Sequence, residues 1–256
     1  MTNEMHDILF IGDIHGAVDH VFDVVRQRSP KAVAFLGDLE PQADFPDWLP
    51  ELQTLTTVRL IHGNHDTDSG EAYDRLFDPA IAPLNLHGRV EVVAGLRIAG
   101  LGGVFRGAIW FPKEDAGAAP AYTSERDYLS RCGKGNRWRG GLPLKHRSTI
   151  FPDAVERLAR LRADVLISHE APDCHGFGFA AITALARAMG VKWLFHGHHH
   201  TRQNYGDTVA SLGFQAVNVG YREIADTSGT IIYQPPNDGA SSVRMQSIAG
   251  KGDKTP

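Results

Sequence analysis

An apolar run that ends in glycine and leads directly into metal-binding side chains lies near the start of the chain. At Ile8–Gly16, four consecutive apolar residues precede Gly12, and Asp13 and His15 follow it. The run is too short for a helix and predicts a strand buried on both faces. Asp13 and His15 lie two positions apart, on the same side of extended backbone, which suits a metal ion. Taken alone, the pair fits a turn aspartate beside a surface histidine equally well.

Four further predicted strands end in a similar way. The mostly apolar runs at 32–36 and 58–61 lead through glycine into acidic, amide and imidazole side chains, and those at 164–168 and 191–195 lead into histidines. Because strands that alternate with helices are parallel, their carboxyl ends meet at one edge of the sheet, where ligands bind. The strand-end residues that this edge would gather are Asp13, His15, Asp38, Asn64, His65, His169, His198 and His200.

The rest of the pattern completes a single α/β domain over residues 1–235. Helical spacing of apolar residues predicts helices between the first two strands and at 48–55, 69–77, 152–161 and 179–189. Two strands at 90–93 and 96–101 are predicted to form a hairpin, and strands at 214–219 and 230–233 to close the fold. Residues 236–256 are rich in Pro, Asn, Gly, Ser and Lys and predict an extended or disordered tail.

The segment at 103–150 has a composition of its own. It holds nine Lys or Arg residues against four acidic ones, a net charge of +5, whereas the rest of the chain carries −9. Its length and its Gly, Pro and aromatic content predict a functional lid or insertion. A basic segment on an acidic body favours an anionic ligand, although such clusters are usually solvated surface. The aromatic residues between the cations suit either stacking on a nucleotide base or packing onto the body; they are Trp110, Phe111, Tyr122 and Trp138.

Composition narrows the class of protein. Hydrophobic residues make up 42% and charged residues 22% of the 256 positions, which is typical of a globular protein. No apolar run approaches the roughly 18–20 residues that span a bilayer, so no membrane partner is expected, and the first residues lack the layout of a secretory signal. Two cysteines, Cys132 and Cys174, cannot make a disulfide framework, so a cytoplasmic location is expected.

The strand ends follow one order along the chain. It runs Asp13-x-His15, Gly37-Asp38, Gly63-Asn64-His65-Asp66, His169 and Gly197-His198-x-His200. This order resembles the calcineurin-like metallophosphoesterase superfamily across roughly residues 8–220. The resemblance implies a four-layer α-β-β-α sandwich with two mixed central sheets, and a centre of two metal ions at the carboxyl ends of the strands. It also implies a metal-dependent phosphoric ester hydrolase.

The resemblance assigns a set of ligands to each metal ion. One ion is expected at Asp13, His15, Asp38 and His200, and the other at Asp38, Asn64, His169 and His198, so that Asp38 bridges the pair. Mixed imidazole, carboxylate and amide ligands suit Mn²⁺, Fe or Zn²⁺ better than Ca²⁺. With the ions about 3.5–4 Å apart, a hydroxide that bridges them is expected to attack phosphorus in line with the leaving oxygen.

His65 and Asp66 are the expected catalytic residues. His65 follows a ligand and is expected to stabilise the transition state and protonate the leaving oxygen. In the serine/threonine protein phosphatase branch, an Asp that orients this histidine and an Arg that grips phosphate follow the Gly-Asp motif, whereas this chain has Pro41 and Gln42. Proline can perform neither role, so Glu40 and Asp66 are the candidates to orient His65.

The predicted function is hydrolysis of a small phosphate ester, with a phosphodiester slightly favoured over a monoester and a nucleotide among the candidates. Arg106, Arg137 and Arg139 are the expected phosphate-binding cations. Within the superfamily, a dinucleoside polyphosphate hydrolase and a protein phosphatase are alternatives, although both resemble the branch whose Asp-Arg pair is missing here. A nuclease would need a longer basic track than this chain offers. A non-catalytic metal-binding scaffold for a partner protein is the rival from another class, but such scaffolds tend to lose ligands.

Overall fold

The computed structural model describes residues 7–206 and 211–236. Ten strands lie in these ranges: β1 (Ile8–Ile11), β2 (Ala32–Phe35), β3 (Thr57–Leu60), β4 (Val90–Val93), β5 (Leu96–Leu101), β6 (Val165–Ser168), β7 (Trp193–His196), β8 (Gln215–Asn218), β9 (Ile224–Ala225) and β10 (Ile231–Tyr233). The six α-helices in the same ranges are α1 (Asp19–Arg28), α2 (Phe45–Leu55), α3 (Gly70–Leu76), α4 (Glu125–Arg131), α5 (Pro152–Ala159) and α6 (Ala180–Met189). No helix in the described ranges is long and apolar enough to cross a membrane. The predicted tail lies outside the described residues from position 237 onward.

Two mixed five-stranded sheets form the centre of the molecule. Their strand orders are β10-β9-β1-β2-β3 and β4-β5-β6-β7-β8. In the first sheet β1, β2 and β3 are parallel, β9 is antiparallel to β1, and β10 is antiparallel to β9. In the second, β5 to β8 are parallel and β4 forms the predicted hairpin with β5. The parallel strands therefore bring their carboxyl ends to a common edge, as the sequence predicted.

Strand β1 shows how the layers are built. Ile8 and Phe10 belong to the core between the two sheets, where the Phe10 ring stacks on Phe195 of β7 with centroids 3.8 Å apart. Leu9 and Ile11 point the other way and pack in the core that contains the buried faces of α1 and α2. A third core joins the second sheet to α5 and α6. The α-β-β-α sandwich implied by the resemblance is confirmed.

The segment at 103–150 is a closed excursion from the second sheet. Val104 near its start exchanges backbone hydrogen bonds with its end, donating to Ser148 O at 2.9 Å and accepting from Ile150 N at 3.0 Å. Ile109 and Trp110 are buried in the core with α5 and α6. The segment is thus partly packed onto the body, which was one of the two alternatives for its aromatic residues. Its role as a lid stays a prediction, as does the single-domain assignment.

Three elements differ from the sequence prediction. Helix α2 begins at Phe45 rather than at 48, with Pro46 in its first turn, where a missing N–H costs nothing. Helix α4 lies inside the excursion and has no buried residue, so it leaves no apolar stripe in the sequence; Ser124 caps it by accepting from Asp127 N at 3.1 Å. Strand β9 has two residues, too few to show alternation.

Candidate metal centre

Three residues from the loops after β1 and β7 form a first ligand group. The nitrogen and oxygen atoms of Asp13, His15 and His200 that could bind a metal lie within 4.8 Å of one another. His15 Nε2 and His200 Nε2 are 3.0 Å apart, and His200 Nε2 lies 3.6 Å from Asp13 Oδ2. Both carboxylate oxygens of Asp13 are buried without a hydrogen-bond partner. Since an uncompensated buried carboxylate is costly, this donor set fits a cation.

A second group adjoins the first. Asp38, His169 and His198 also bring ligand atoms within 4.8 Å of one another. His169 Nε2 lies 3.3 Å from Asp38 Oδ2 and 3.2 Å from Asn64 Oδ1, and its Nδ1 is 3.9 Å from Asp13 Oδ1 of the first group. The structure thus brings all seven sequence-predicted metal ligands together at one edge of the sheets.

Neighbouring acceptors orient two of the imidazoles. His169 Nδ1 lies 2.8 Å from the Leu36 carbonyl, to which it donates, so Nε2 is the ring nitrogen that faces Asp38 and Asn64. Glu40 Oε1 lies 2.8 Å from His15 Nδ1, which turns the His15 Nε2 toward His200. Such outer partners fix the tautomer and orientation of metal-binding histidines.

The backbone of the centre is strained where the ligands leave it. His15, Asp38 and His198 have φ angles of 43°, 47° and 66°, in the left-handed region that non-glycine residues avoid. Such residues cost about 1–3 kcal/mol each and cluster at functional sites. Gly63 is needed in the same centre for a steric reason, because a Cβ at this position would overlap the Asp38 carboxylate.

Burial and charge shift the pKa values of the acidic and imidazole groups in opposite directions. Burial raises the pKa of Asp13 to about 6. The pKa of His169 is raised to about 10. Burial alone would lower it, but the negative charges of Asp38 and Asp13 have the larger effect. Burial opposes ionisation of Asp38 too, yet the charge of His169 lowers its pKa well below the usual range. The carboxylates therefore attract positive charge into a buried site.

His65 lies at the exposed side of the centre and is held by Asp68. Its Nδ1 is 2.6 Å from Asp68 Oδ2, while the nearer oxygen of Glu40 is 3.7 Å away. The hydrogen bond to Asp68, followed by the charge of Asp38, raises the pKa of His65 to about 9 against the effect of burial. The expectation that Glu40 or Asp66 orients His65 is therefore corrected to Asp68.

Asp66 makes its contacts with backbone rather than with His65. Its two carboxylate oxygens accept from Gly63 N at 2.8 Å and from Glu40 N at 2.7 Å, and the side chain is completely buried. These bonds tie the loop after β3 to the loop after β2. Asp66 thus connects two ligand-bearing loops.

Of the three predicted phosphate-binding arginines, Arg106 lies beside the centre. Its Nη1 donates to Ser148 O at 3.1 Å and to Thr149 Oγ1 at 2.9 Å, which fixes the guanidinium. It shares the wall of a 450 Å³ cavity with Asn64 and His198. A cation is therefore held next to two candidate ligands.

The other two arginines are engaged elsewhere. Arg137 Nη2 donates to the carbonyls of Leu129 and Cys132 within the excursion. Arg139 forms a bidentate pair with Asp74 of α3, at the surface. The substrate-binding role of Arg137 and Arg139 stays a prediction, and these contacts give it no support.

Known proteins resemble this chain both in sequence and in fold. A sequence model of the calcineurin-like phosphoesterase family matches residues 6–202. The chain belongs to this family. This calcineurin-like phosphoesterase is accordingly a metal-dependent phosphoric ester hydrolase, as the strand-end motifs implied. The family generally uses two divalent metal ions, and the two ligand groups provide candidate positions for them.

Relatives of the calcineurin-like phosphoesterase are similar over nearly the whole chain. An uncharacterized protein of Haemophilus influenzae is 42% identical over 231 residues, which cover 90% of this chain and 98% of the relative. Among solved structures, one crystal structure has a TM-score of 0.53 and covers 89% of this chain and 97% of its own. The crystal structure of TT1561 of Thermus thermophilus has a TM-score of 0.52 and covers 87% and 96%. Both structures are 14% identical to this chain, so they show the fold alone.

Two features of the site were missed by sequence reasoning. Asp68 was not considered as the partner of His65, although its place three residues later, on a short helical turn, was a usable signal. Phe177 reaches the same 450 Å³ cavity as Arg106. It does so because the loop between β6 and α6 folds back on itself, for which the sequence carries no periodic signal.

Proposed function

We propose that the phosphoesterase hydrolyses a small phosphate ester at a centre of two divalent ions, with a diester slightly favoured over a monoester. The observation that carries the proposal is the convergence of two ligand groups at one edge of both sheets, with the Asp13 carboxylate buried and unpartnered between imidazoles. The mixed carboxylate and imidazole donors favour Mn²⁺, Fe or Zn²⁺.

In this proposal the two ions share Asp38. Its Oδ2 faces His169 at 3.3 Å, and its Oδ1 accepts from His65 N at 2.8 Å, so both oxygens have fixed directions. The charge of Asp38 also acts on Asp13 of the other group, which supports a position between the two. Asn64 completes the second set. When bound, the ions supply Lewis-acid charge to the phosphoryl oxygens and lower the pKa of a water molecule toward neutrality.

His65 is proposed to protonate the leaving oxygen. Its ring centroid lies 5.5 Å from that of His15, so it faces the first ligand group. The hydrogen bond to Asp68 raises the pKa of His65, which favours the protonated imidazole. A cationic imidazole can stabilise developing negative charge and donate a proton in the same step. Asp66, the other residue expected to be catalytic, is proposed to support this geometry by tying the two ligand loops together.

Arg106 is proposed as the protein's own phosphate-binding cation. A diester carries one negative charge, which suits a site with one anchored guanidinium next to the ligands. This is the basis for placing the diester ahead of the monoester, and a nucleotide is a candidate substrate. A cytoplasmic location stays a prediction from the cysteine content.

The alternatives are less well supported. A protein phosphatase and a dinucleoside polyphosphate hydrolase both resemble the branch with an Asp-Arg pair, where this chain has Pro41 and Gln42. A nucleic acid substrate is not favoured by a body that carries −9 outside the excursion. A non-catalytic scaffold is disfavoured because every ligand position is filled and His65 is present.

The test is hydrolysis of two chromogenic esters, p-nitrophenyl phosphate and bis(p-nitrophenyl) phosphate. Each is assayed with Mn²⁺, Fe²⁺ or Zn²⁺ and with excess chelator. We expect metal-dependent release of p-nitrophenol, faster from the diester, that stops with chelator and returns when metal is restored. Hydrolysis of neither ester with any of the metals would support the scaffold, and faster hydrolysis of the monoester would reverse the substrate preference.

A further inference from the structure

A cavity of 450 Å³ opens beside the second ligand group. Asn64 and His198 form part of its wall, so a phosphate ester held at the centre would extend into it. Its volume falls within the range of small-molecule sites, about 300–1,000 Å³. The metal ligands, His65 and Arg106 account for the reacting phosphate but leave the apolar part of this space without a role.

Four phenylalanine rings and Val104 make up the apolar wall of the cavity. The Phe179 ring lies edge-on to Phe111, with centroids 5.2 Å apart, and 4.6 Å from the centroid of Phe105. Phe111 and Phe177 are 53% and 70% exposed, which is high for such large apolar side chains. Two exposed rings beside a catalytic centre leave apolar area that a ligand can cover.

Anchored backbone carries both exposed rings. The carbonyl of Lys113, two residues after Phe111, accepts the first backbone N–H of α6 at 2.8 Å. The loop that carries Phe177 is closed where Phe179 N donates to Ala171 O at 2.9 Å. The rings are therefore positioned before a ligand arrives, which lowers the entropy cost of binding.

Charged groups interrupt the apolar wall. Lys113 Nζ lies 5.9 Å from the centroid of the Phe177 ring, and the fixed guanidinium of Arg106 lines the same cavity. The buried carboxylate of Glu170 also lines it, with Oε1 accepting from Phe105 N at 2.9 Å. An acyl chain laid along these charges would desolvate them without replacing their hydrogen bonds. A planar heterocycle offers both a face for the rings and polar edge atoms for the charged groups.

We propose that this cavity binds the nucleobase of a nucleotide ester, with Phe111 and Phe177 as its stacking residues. The inference rests on the proposed function, since it places the base of the substrate whose phosphate lies at the metal ligands. It differs from the sequence expectation, in which Trp110, Tyr122 and Trp138 were also candidates for stacking. Trp110 is buried in the core and donates to Ala118 O at 2.7 Å, which leaves Phe111 as the residue of that set on this cavity.

The test measures binding of adenosine and of ribose by equilibrium dialysis. Adenosine has no phosphate, so its binding does not depend on hydrolysis, and ribose lacks the base. Phe111→Leu and Phe177→Leu remove a flat ring and keep an apolar side chain, and Phe177→Ala removes both. Val92→Ala is the matched control, because Val92 is 67% exposed on β4 and does not line the cavity. Hydrolysis of bis(p-nitrophenyl) phosphate is measured on the same preparations.

We expect adenosine to bind more tightly than ribose, and each Phe→Leu variant to weaken adenosine binding about 10-fold. Val92→Ala should bind adenosine like the wild type. Equal binding of adenosine and ribose, or Leu variants that bind adenosine like the wild type, would overturn the nucleobase assignment. If either of these results is obtained while the aryl diester is still hydrolysed, the proposed function stands and only the nucleobase assignment is lost. Adenosine binding without any ester hydrolysis would instead keep the cavity and contradict the proposed function.

Discussion

The edge where the strands end and the excursion at 103–150 hold their charged side chains in opposite ways. At the edge, Asp13 and His169 are completely buried, and the carboxylate of Asp13 has no hydrogen-bond partner. In the excursion, charged side chains pair with each other in contact with water, as Arg131 does with Asp127 of the same helix. The Asp13 carboxylate at the edge lacks a hydrogen-bond partner, whereas much of the charge in the excursion is already neutralised.

The difference shows that the net charge of a segment does not reveal which of its charged side chains already have partners within the protein. The excursion carries a net charge of +5. However, Arg137 donates to backbone carbonyls within the excursion, and Arg139 donates to Asp74 of α3. Exposed pairs of this kind are screened by solvent and contribute little energy. Buried, uncompensated carboxylates and imidazoles carry a large electrostatic cost and therefore mark a site with a ligand to bind. Substitutions in both regions test this contrast.

The largest effect is expected from Asp38→Asn. The amide keeps the shape of the side chain but removes the charge that is proposed to hold both metal ions, so metal content should fall. Loss of Lewis-acid stabilisation worth several kcal/mol should slow ester hydrolysis by roughly 10⁴-fold. Metal content is measured by mass spectrometry and the rate with bis(p-nitrophenyl) phosphate. Asp153→Asn, at an exposed carboxylate that pairs with Arg157 in α5, is the control and should retain metal content and activity. An Asp38→Asn protein that stays active and metal-loaded would contradict a role for Asp38 in metal binding.

His65→Ala should separate chemistry from metal binding. The variant should keep the metal content of the wild type and lose about 10²–10⁴-fold in turnover, since the proposed general acid is removed. Asp68→Asn should slow turnover less, because it weakens the orientation of His65 without removing it. The role proposed for His65 fails if His65→Ala strips the metals or if turnover is unchanged.

Glu40→Gln tests the outer support of the first ligand group. Glu40 Oε1 lies 2.8 Å from His15 Nδ1, and losing such a partner typically costs about 10–100-fold in metal affinity or activity. The metal-free protein is titrated with Mn²⁺ and its activity is recorded at each addition. The variant should show lower Mn²⁺ affinity at one of the two sites. Equal affinity in variant and wild type would mean that the contact does not position His15.

The smallest effects separate Arg106 from Arg139. Arg106→Gln should lower kcat/KM about 10- to 100-fold, because a hydrogen bond between charged partners is worth about 1.5–3 kcal/mol. Arg139→Gln breaks a surface pair and should change Tm by less than about 2 °C. Steady-state kinetics measure the first effect and thermal unfolding measures the second. A larger loss of kcat/KM in Arg139→Gln than in Arg106→Gln would indicate that the exposed surface around Arg139 binds the phosphate.

The stabilisation that the surface pair of Arg139 and Asp74 gives to the fold should depend on pH in a defined direction. The hydrogen bond to Arg139 lowers the pKa of Asp74, so the pair stabilises the fold above the pKa of an unfolded aspartate. The stabilisation is lost as the pH falls through the lowered pKa. The Tm difference between wild type and Arg139→Gln should therefore be present at neutral pH and vanish in acid, and a difference that grows in acid would contradict the assignment.

Sequence alone could predict the parts of the molecule that topology determines. Asp13, Asp38, Asn64 and His169 each follow a short apolar strand, and parallel strands must bring such residues to one edge. The family model and the two mixed sheets confirm the family and the fold that this pattern indicated.

Contacts made by loops could not be predicted in the same way. The turn at His65–Thr67 brings Asp68 rather than Asp66 to His65, since Asp66 turns inward to accept from backbone. Phe177 and Arg106 reach one cavity from segments whose paths depend on tertiary hydrogen bonds. Neither result follows from periodicity or composition.

The most direct test of the central claim is anomalous diffraction from crystals soaked in Mn²⁺. Two manganese peaks should lie at one edge of the sheets, one among Asp13, His15 and His200 and the other among Asp38, His169 and His198, with the Asp38 carboxylate between them. A single peak, peaks elsewhere on the surface, or none in crystals of protein that is active with Mn²⁺ would contradict a two-ion centre at the strand ends.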